Sequence, residues 1–341
     1  MNDALGNNSN PNLDPNLNNS LSQNEENAPV ETPVATAERT PQYKPETMRP
    51  LAVLMMCFGF FIIGNLITGG ISIGLAQLGG FEFSQKLANL SANSPIDDRN
   101  FIRCILFLNH VFSFILPAIF TTIFVYKNLA VKYLKLDKFP HLITTGLAFL
   151  LLVVSVPLVQ YSYLLNKMIP LPQWMHGLEQ DTSKMLEAII TKEYWYEAVV
   201  NVLLIGAIPA IGEEMMFRGI LQQQLGRIFR NEHVMVWLSA AIFSAIHMQF
   251  EGFLARMILG ALLGYLFVWT RNLWVPMIVH LLNNGLQIIV MYAANIKPSE
   301  MEKMGDADKM TWWMALISLG LVVYVAGLIK NKRGKCQKFD G

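Results

Sequence analysis

Two adjacent carboxylates, Glu213 and Glu214, close an apolar run over residues 198–211, and Arg218 follows one helical turn later. Carboxylates in or near hydrocarbon cost at least ~2–3 kcal/mol each, so something must retain them. Neighbours on a helix point about 100° apart, whereas residues four apart share a face. That geometry pairs Glu214 with Arg218 and leaves Glu213 without a local cation. A paired carboxylate is a structural anchor, and an unpaired one in a low-dielectric site can serve as a general base near neutral pH. Glu213 is therefore the candidate base. The plainer alternative is that the helix simply emerges at an interface with Glu213, Glu214 and Arg218 solvated.

Two further polar intrusions follow. Phe243 and His247 form an FxxxH pattern at the end of an apolar run that begins near Val234. His280 and Asn284, four apart on one helix face, form HxxxN inside the next apolar block but one, with Asn283 pointing away. Interhelical hydrogen bonding commonly uses His and Asn, so neither intrusion alone specifies chemistry. A further histidine, His110, reads as an ordinary hydrogen-bonded residue of an early span. Together, Glu213, His247, His280 and Asn284 supply a carboxylate, two imidazoles and a carboxamide. That is an inventory for hydrolysis: a base for water, a proton shuttle and donors for a developing oxyanion.

The elements that must position these groups are membrane helices. The 341-residue chain is 53% hydrophobic and only 15% charged, too little charge to wet a soluble surface. Its apolar residues arrive in blocks of roughly twenty, the length that crosses a hydrocarbon core of about 30 Å. The pattern predicts eight spans, at 50–76, 101–126, 141–165, 196–217, 234–248, 252–270, 274–293 and 311–329. The fifth is short for a crossing, and the third could end early at Pro157. The fold class expected is an all-α polytopic transmembrane helix bundle.

Residues 1–47 are rich in Asn, Pro, Glu and Thr and poor in large apolar residues, which predicts a disordered tail without the pattern of a cleavable signal. Four segments follow from the pattern: the tail (1–47), N-terminal spans with an interfacial helix (48–195), the polar-bearing core (196–293), and a last span with a basic tail (294–341). The interfacial helix is expected near residues 178–200, capped by Asp181-Thr182, with Met185, Leu186, Ile189 and Ile190 as its apolar stripe. The connections 127–140 and 218–232 and the C-terminal tail are basic. Residues 164–193 and 297–309 each carry three Lys against four acids. With eight spans the basic segments share one face, which places both termini in the cytoplasm. The net charge of +1 offers nothing for nucleic acid, and Cys57, Cys104 and Cys336 have no paired spacing for a disulfide framework or a thiolate metal site.

The ordered set EExxxR (Glu213, Glu214, Arg218), FxxxH (Phe243, His247) and HxxxN (His280, Asn284) resembles the CPBP family. That family comprises the type II CAAX prenyl endopeptidases and related bacterial bacteriocin-processing and self-immunity (Abi) proteins. The resemblance covers roughly residues 196–293. It implies an intramembrane endopeptidase in the cell (inner) membrane, acting on a membrane-associated peptide or protein such as a CAAX-type sequence or a bacteriocin leader. By that resemblance Glu213 and His247 activate water, His280 and Asn284 stabilise the oxyanion, and Glu214, Arg218 and Phe243 support the site. Family members were long regarded as metalloproteases, and Glu213, His247 and His280 would then be zinc ligands. No HExxH is present, so a metal-free glutamate mechanism is preferred, with zinc as the alternative. From a different class, a non-catalytic immunity protein or transporter would also use a polar stripe. One difficulty is depth: Glu213 falls near one end of its predicted span and His247 near the far end of the next.

Overall fold

The computed structural model describes residues 48–78, 90–91, 93–190, 194–298 and 311–336. The predicted disordered tail and most of the segment 297–309 lie outside the described residues. All regular structure among the described residues is helical. In chain order the helices are α1 (Pro50–Leu78), α2 (Ile96–Tyr133), α3 (Leu142–Lys167), α4 (Gln173–Ile190), α5 (Tyr196–Phe229), α6 (Glu232–Ile246), α7 (Phe253–Thr270), α8 (Trp274–Ala294) and α9 (Trp312–Cys336).

Among the described residues seven of these, all but α4 and α6, are long and apolar enough to cross a membrane, and the chain is a multi-pass membrane protein. The expectation of eight spans is corrected at α6. Its 15 residues rise only about 22 Å, short of the hydrocarbon thickness. It starts cleanly, with Asn231 Oδ1 accepting from the amides of His233 and Val234. It stops at Ile246 because the chain turns back through Met248, whose φ of 53° no helix continues.

Helix α3 matches the expected span 141–165, running through Pro157 to Lys167 without the early end the proline allowed. Ser318 of α9 donates to Val154 O and accepts from Leu158 N, so a neighbouring helix satisfies the backbone around the proline. Helix α4 begins at Gln173, so Asp181 and Thr182 lie inside it; Thr182 donates back to Leu178 O instead of capping.

Helix α5 is the element around which the site is built. It packs against the middle of α2 and against α6 and α8, while α3, α7 and α9 pack on one another. It alternates α and π turns, with π segments at Val202–Ala207 and Met215–Gln222. Such bulges widen a helix locally and recur at functional sites. The main core packs aromatic and sulfur side chains from several helices, among them Phe114, Phe217, Phe243 and Met277.

Candidate active site

Glu213 and Glu214 sit at the end of the short α segment Ile208–Glu214, with Glu213 17 residues after the start of the 34-residue helix α5 and 16 before its end. The depth difficulty therefore dissolves. The fourth span runs on to Phe229, which moves the carboxylates to mid-helix, and the short α6 ends where it delivers His247 to them. Solvation at an interface is also excluded, since Glu213, Glu214 and Arg218 are 4%, 0% and 1% exposed.

The pair predicted from helix geometry is present: Arg218 Nη1 donates to Glu214 Oε1 at 2.7 Å. Arg218 Nη2 donates to Gly260 O on α7 at 2.8 Å, and its guanidinium lies 4.7 Å from the centre of the Phe243 ring. Phe243 also stands edge-on to Phe217, His247 and His280. It is the hub between the arginine and both imidazoles. One turn on, Gln222 donates to Gly264 O at 3.0 Å. A Cβ at 264 would lie 2.8 Å from Gln222 Oε1, so glycine admits this approach.

Glu213 lacks a cation on its own helix, as expected, yet three imidazoles surround it. His110 Nε2 lies 3.6 Å from Oε1, and the Nε2 atoms of His247 and His280 each lie 3.9 Å from Oε2. Each ring uses Nδ1 elsewhere. His110 Nδ1 meets Leu106 O at 3.0 Å, His247 Nδ1 meets Phe243 O at 2.7 Å, and His280 Nδ1 meets Glu214 Oε1 at 2.8 Å. A carbonyl or carboxylate oxygen only accepts, so all three Nδ1 atoms carry the proton and all three Nε2 atoms face Glu213. Glu213 Oε2 is buried and accepts no hydrogen bond. His110, read from sequence as a plain hydrogen-bonded residue, does make that bond, but its other nitrogen belongs to this cluster. No spacing signal joins it to the later motifs.

Asn284 donates to Ile205 O at 3.3 Å, in the first π segment of α5, and Asn283 donates to Asn284 Oδ1 at 2.9 Å. Asn283 therefore does not simply point away. It folds onto its neighbour, and both line one cavity of about 720 Å³ with His247, His280 and Phe243. The remaining wall is largely apolar, supplied by α3 residues such as Leu152, Val153, Val156 and Val159.

The turn that carries His247 is pinned by residues without a motif. Asn166, 3% exposed at the end of α3, donates to Phe250 O and accepts from Leu254 N, both at 2.8 Å. Glu179 of α4 accepts from Glu251 N at 2.8 Å, and Ser244 donates to Phe253 O at 2.7 Å. Protein groups in this way satisfy the non-helical backbone of the turn. Burial pushes the Glu179 carboxyl above its usual value, with the Glu251 charge adding to the shift against the amide hydrogen bond.

As a zinc-ligand set, Glu213, His247 and His280 have suitable donor chemistry. Among the described residues, however, the trio whose ligand atoms all lie within 4.8 Å of one another is His176, Glu179 and Glu251, in the lining of a second recess. The Glu213 trio does not reach that spacing.

Comparison with known proteins bears on the same segment. The model of the type II CAAX prenyl endopeptidase Rce1-like family matches residues 195–286, which hold EExxxR, FxxxH and HxxxN. Over that segment the chain is similar to the CPBP/CAAX-type intramembrane proteases. It is 31% identical over 87 residues to the uncharacterized protein YpbD of Bacillus subtilis, covering 24% of this chain and 41% of that one. It is 26% identical over 95 residues to the membrane-embedded CAAX protease MroQ of Staphylococcus aureus, covering 26% of this chain and 38% of that one. The matches thus span about two fifths of these relatives. No solved structure matches.

Proposed function

We propose that the protein is an intramembrane endopeptidase of the inner membrane, hydrolysing a peptide bond of a membrane-associated substrate with Glu213 as general base. The observation that carries this reading is Glu213 Oε2, buried without a hydrogen-bond partner and facing the Nε2 atoms of His247 and His280. A water held among these three atoms gives up a proton to Oε2 as its oxygen attacks the scissile carbonyl. His247 Nε2, with its lone pair inward, accepts the second water hydrogen and orients the nucleophile.

The carbonyl oxygen becomes an oxyanion, and two groups serve it. Asn283 holds Asn284 Oδ1, which turns the Asn284 amide nitrogen toward Ile205 O and the cavity. The second Nδ2 hydrogen is then free to donate. His280, held at Nδ1 by the Glu214 carboxylate, serves the oxyanion from Nε2 when that atom carries a proton. Collapse of the tetrahedral species breaks the C–N bond, and the proton held by Glu213 passes to the leaving amine.

The apolar wall of the cavity suits a hydrophobic peptide segment entering from the membrane. Seven crossings, one fewer than expected, would leave the two termini on opposite faces, so the eight-span placement of both in the cytoplasm is not carried over. A CAAX-type or leader peptide fits the family, and nothing in the site calls for nucleic acid.

The test is cleavage of a peptide library by the reconstituted protein, comparing wild type with Glu213→Gln. The expected outcome is loss of activity at normal yield and unchanged thermal midpoint. Full activity in Glu213→Gln would sink the base assignment. Cleavage lost to a strong chelator and restored by zinc would replace it with the metal reading. Binding of a peptide without cleavage would favour the immunity-type alternative.

A further inference from the structure

Resting on the reading of Glu213 as base, we propose that His110 is a positioning residue of this site, holding Glu213 Oε1 from α2 so that Oε2 faces His247 and His280. The two carboxylate oxygens are divided between different partners. Oε1 faces His110 Nε2 at 3.6 Å, and Oε2 faces His247 and His280 at 3.9 Å. His247 and His280 line the cavity, while Glu213 and His110 lie behind them, so His110 meets the carboxylate on the oxygen those two rings do not face.

Several features of α2 and α5 serve this approach. The Leu106 carbonyl takes the Nδ1 proton and fixes the ring so that Nε2 points at Glu213. The buried Phe114 side chain stacks on the ring at 5.7 Å with an interplanar angle of 28°. The helix opens into a π segment at Val111–Ile115, directly after His110. There α2 meets α5 at Gly212, the residue before the base. A Cβ at Gly212 would lie 2.9 Å from Ile115 Cγ1 and 3.0 Å from Phe114 Cβ. Glycine at 212 thus sets the distance over which His110 works.

The local charges favour an attractive contact. Glu213 and Glu214 are both buried, Arg218 is engaged by Glu214, Arg256 acts on Glu213 only at longer range, and His110 Nε2 is the nearest nitrogen to Glu213 Oε1. A separation of 3.6 Å is within ion-pair reach and beyond a direct hydrogen bond, so a small shift of the ring completes it. Without this contact the Glu213 carboxylate is free to rotate, and both oxygens lose their assignment.

The experiment compares His110→Phe, His110→Gln and Glu213→Gln in the reconstituted protein, reading kcat, KM and thermal midpoint on one cleaved peptide. His110→Phe keeps an aromatic ring against Phe114 and loses the nitrogen; His110→Gln keeps an N–H donor. The expected result for His110→Phe is a kcat lowered about 10- to 100-fold with KM within about twofold, since misplacing a reacting group costs on that scale. His110→Gln recovers a large part of that loss, at a midpoint close to that of His110→Phe. Wild-type kcat in His110→Phe beside an inactive Glu213→Gln overturns the His110 assignment alone. Activity in both overturns the base reading itself. Equal losses in the two His110 variants that follow lowered midpoints mean a structural role and also overturn the proposal. If wild type cleaves no peptide, labelling of Glu213 by a hydrophobic carbodiimide is read by mass spectrometry. Labelling increased severalfold in His110→Phe and not in His110→Gln supports the proposal, and equal labelling of wild type and both variants overturns it.

Discussion

One oxygen of Glu214 is shared: Oε1 accepts from Arg218 Nη1 at 2.7 Å and from His280 Nδ1 at 2.8 Å. The second glutamate therefore does more than anchor the arginine. It sets which nitrogen of His280 faces the neighbouring glutamate, in the way a buried aspartate orients the histidine of a hydrolytic triad.

Removing that charge should affect folding first. Glu214→Gln leaves the buried Arg218 guanidinium without its counter-charge. Breaking a buried pair by one partner costs about 3–5 kcal/mol. The expected outcome is a large fall in the yield of folded protein and in thermal midpoint in detergent. An unchanged midpoint would show that Arg218 finds compensation elsewhere.

Asn284 and Asn283 should separate chemistry from orientation. Asn284→Ala removes the amide donor and is expected to lower kcat about 10²–10³-fold with little change in KM. Asn283→Ala leaves the donor present but unaligned, so its loss in kcat should be smaller. Steady-state kinetics on one peptide decides, and a larger loss in Asn283→Ala would reverse the assignment.

The turn bearing His247 should depend on Asn166. Asn166→Leu leaves Phe250 O and Leu254 N without their partner, at about 1–3 kcal/mol for each unsatisfied group. Hydrogen exchange over residues 247–254 should rise and kcat fall, because His247 shares the segment. Wild-type protection there would show that Glu179 and Ser244 suffice.

Gly264 tests the close contact of α5 with α7. In Gly264→Ala the new Cβ meets Gln222 Oε1 at 2.8 Å, and overpacking of this kind costs about 1–3 kcal/mol. The combination of Gly264→Ala with Gln222→Ala should recover part of the lost thermal midpoint. No recovery would mean that the strain lies elsewhere.

Glu179 gives a pH-dependent signature outside the spans. Its folded carboxyl is shifted above its usual 4.5, so the folded state holds the proton more tightly than the unfolded chain. Stability from this group is then present below 4.5 and lost as pH rises from there through the folded value. Glu179→Gln, whose amide oxygen still accepts from Glu251 N, should flatten that part of the curve of thermal midpoint against pH. An identical slope in wild type and variant would remove Glu179 as its source.

Residue types, their order and the helical period were enough to determine the membrane class, the Glu214–Arg218 pair and the polar stripe on α8. Each rests on composition or on contacts within one helix, which a local pattern encodes. The bounds of α7 and α8 were legible for the same reason, since their apolar blocks end at polar turns. Tertiary structure decided the rest. The extension of α5 to Phe229, beyond its expected end at 217, brings Glu213 level with His247, whereas the short α6 follows the short apolar run 234–248 already visible in the sequence. His110 reaches Glu213, and Asn166 and Glu179 reach the turn after α6, only through packing between helices far apart in the chain. A single polar residue on an apolar helix carries no mark of which distant group it will meet, because that choice is made by how the helices pack.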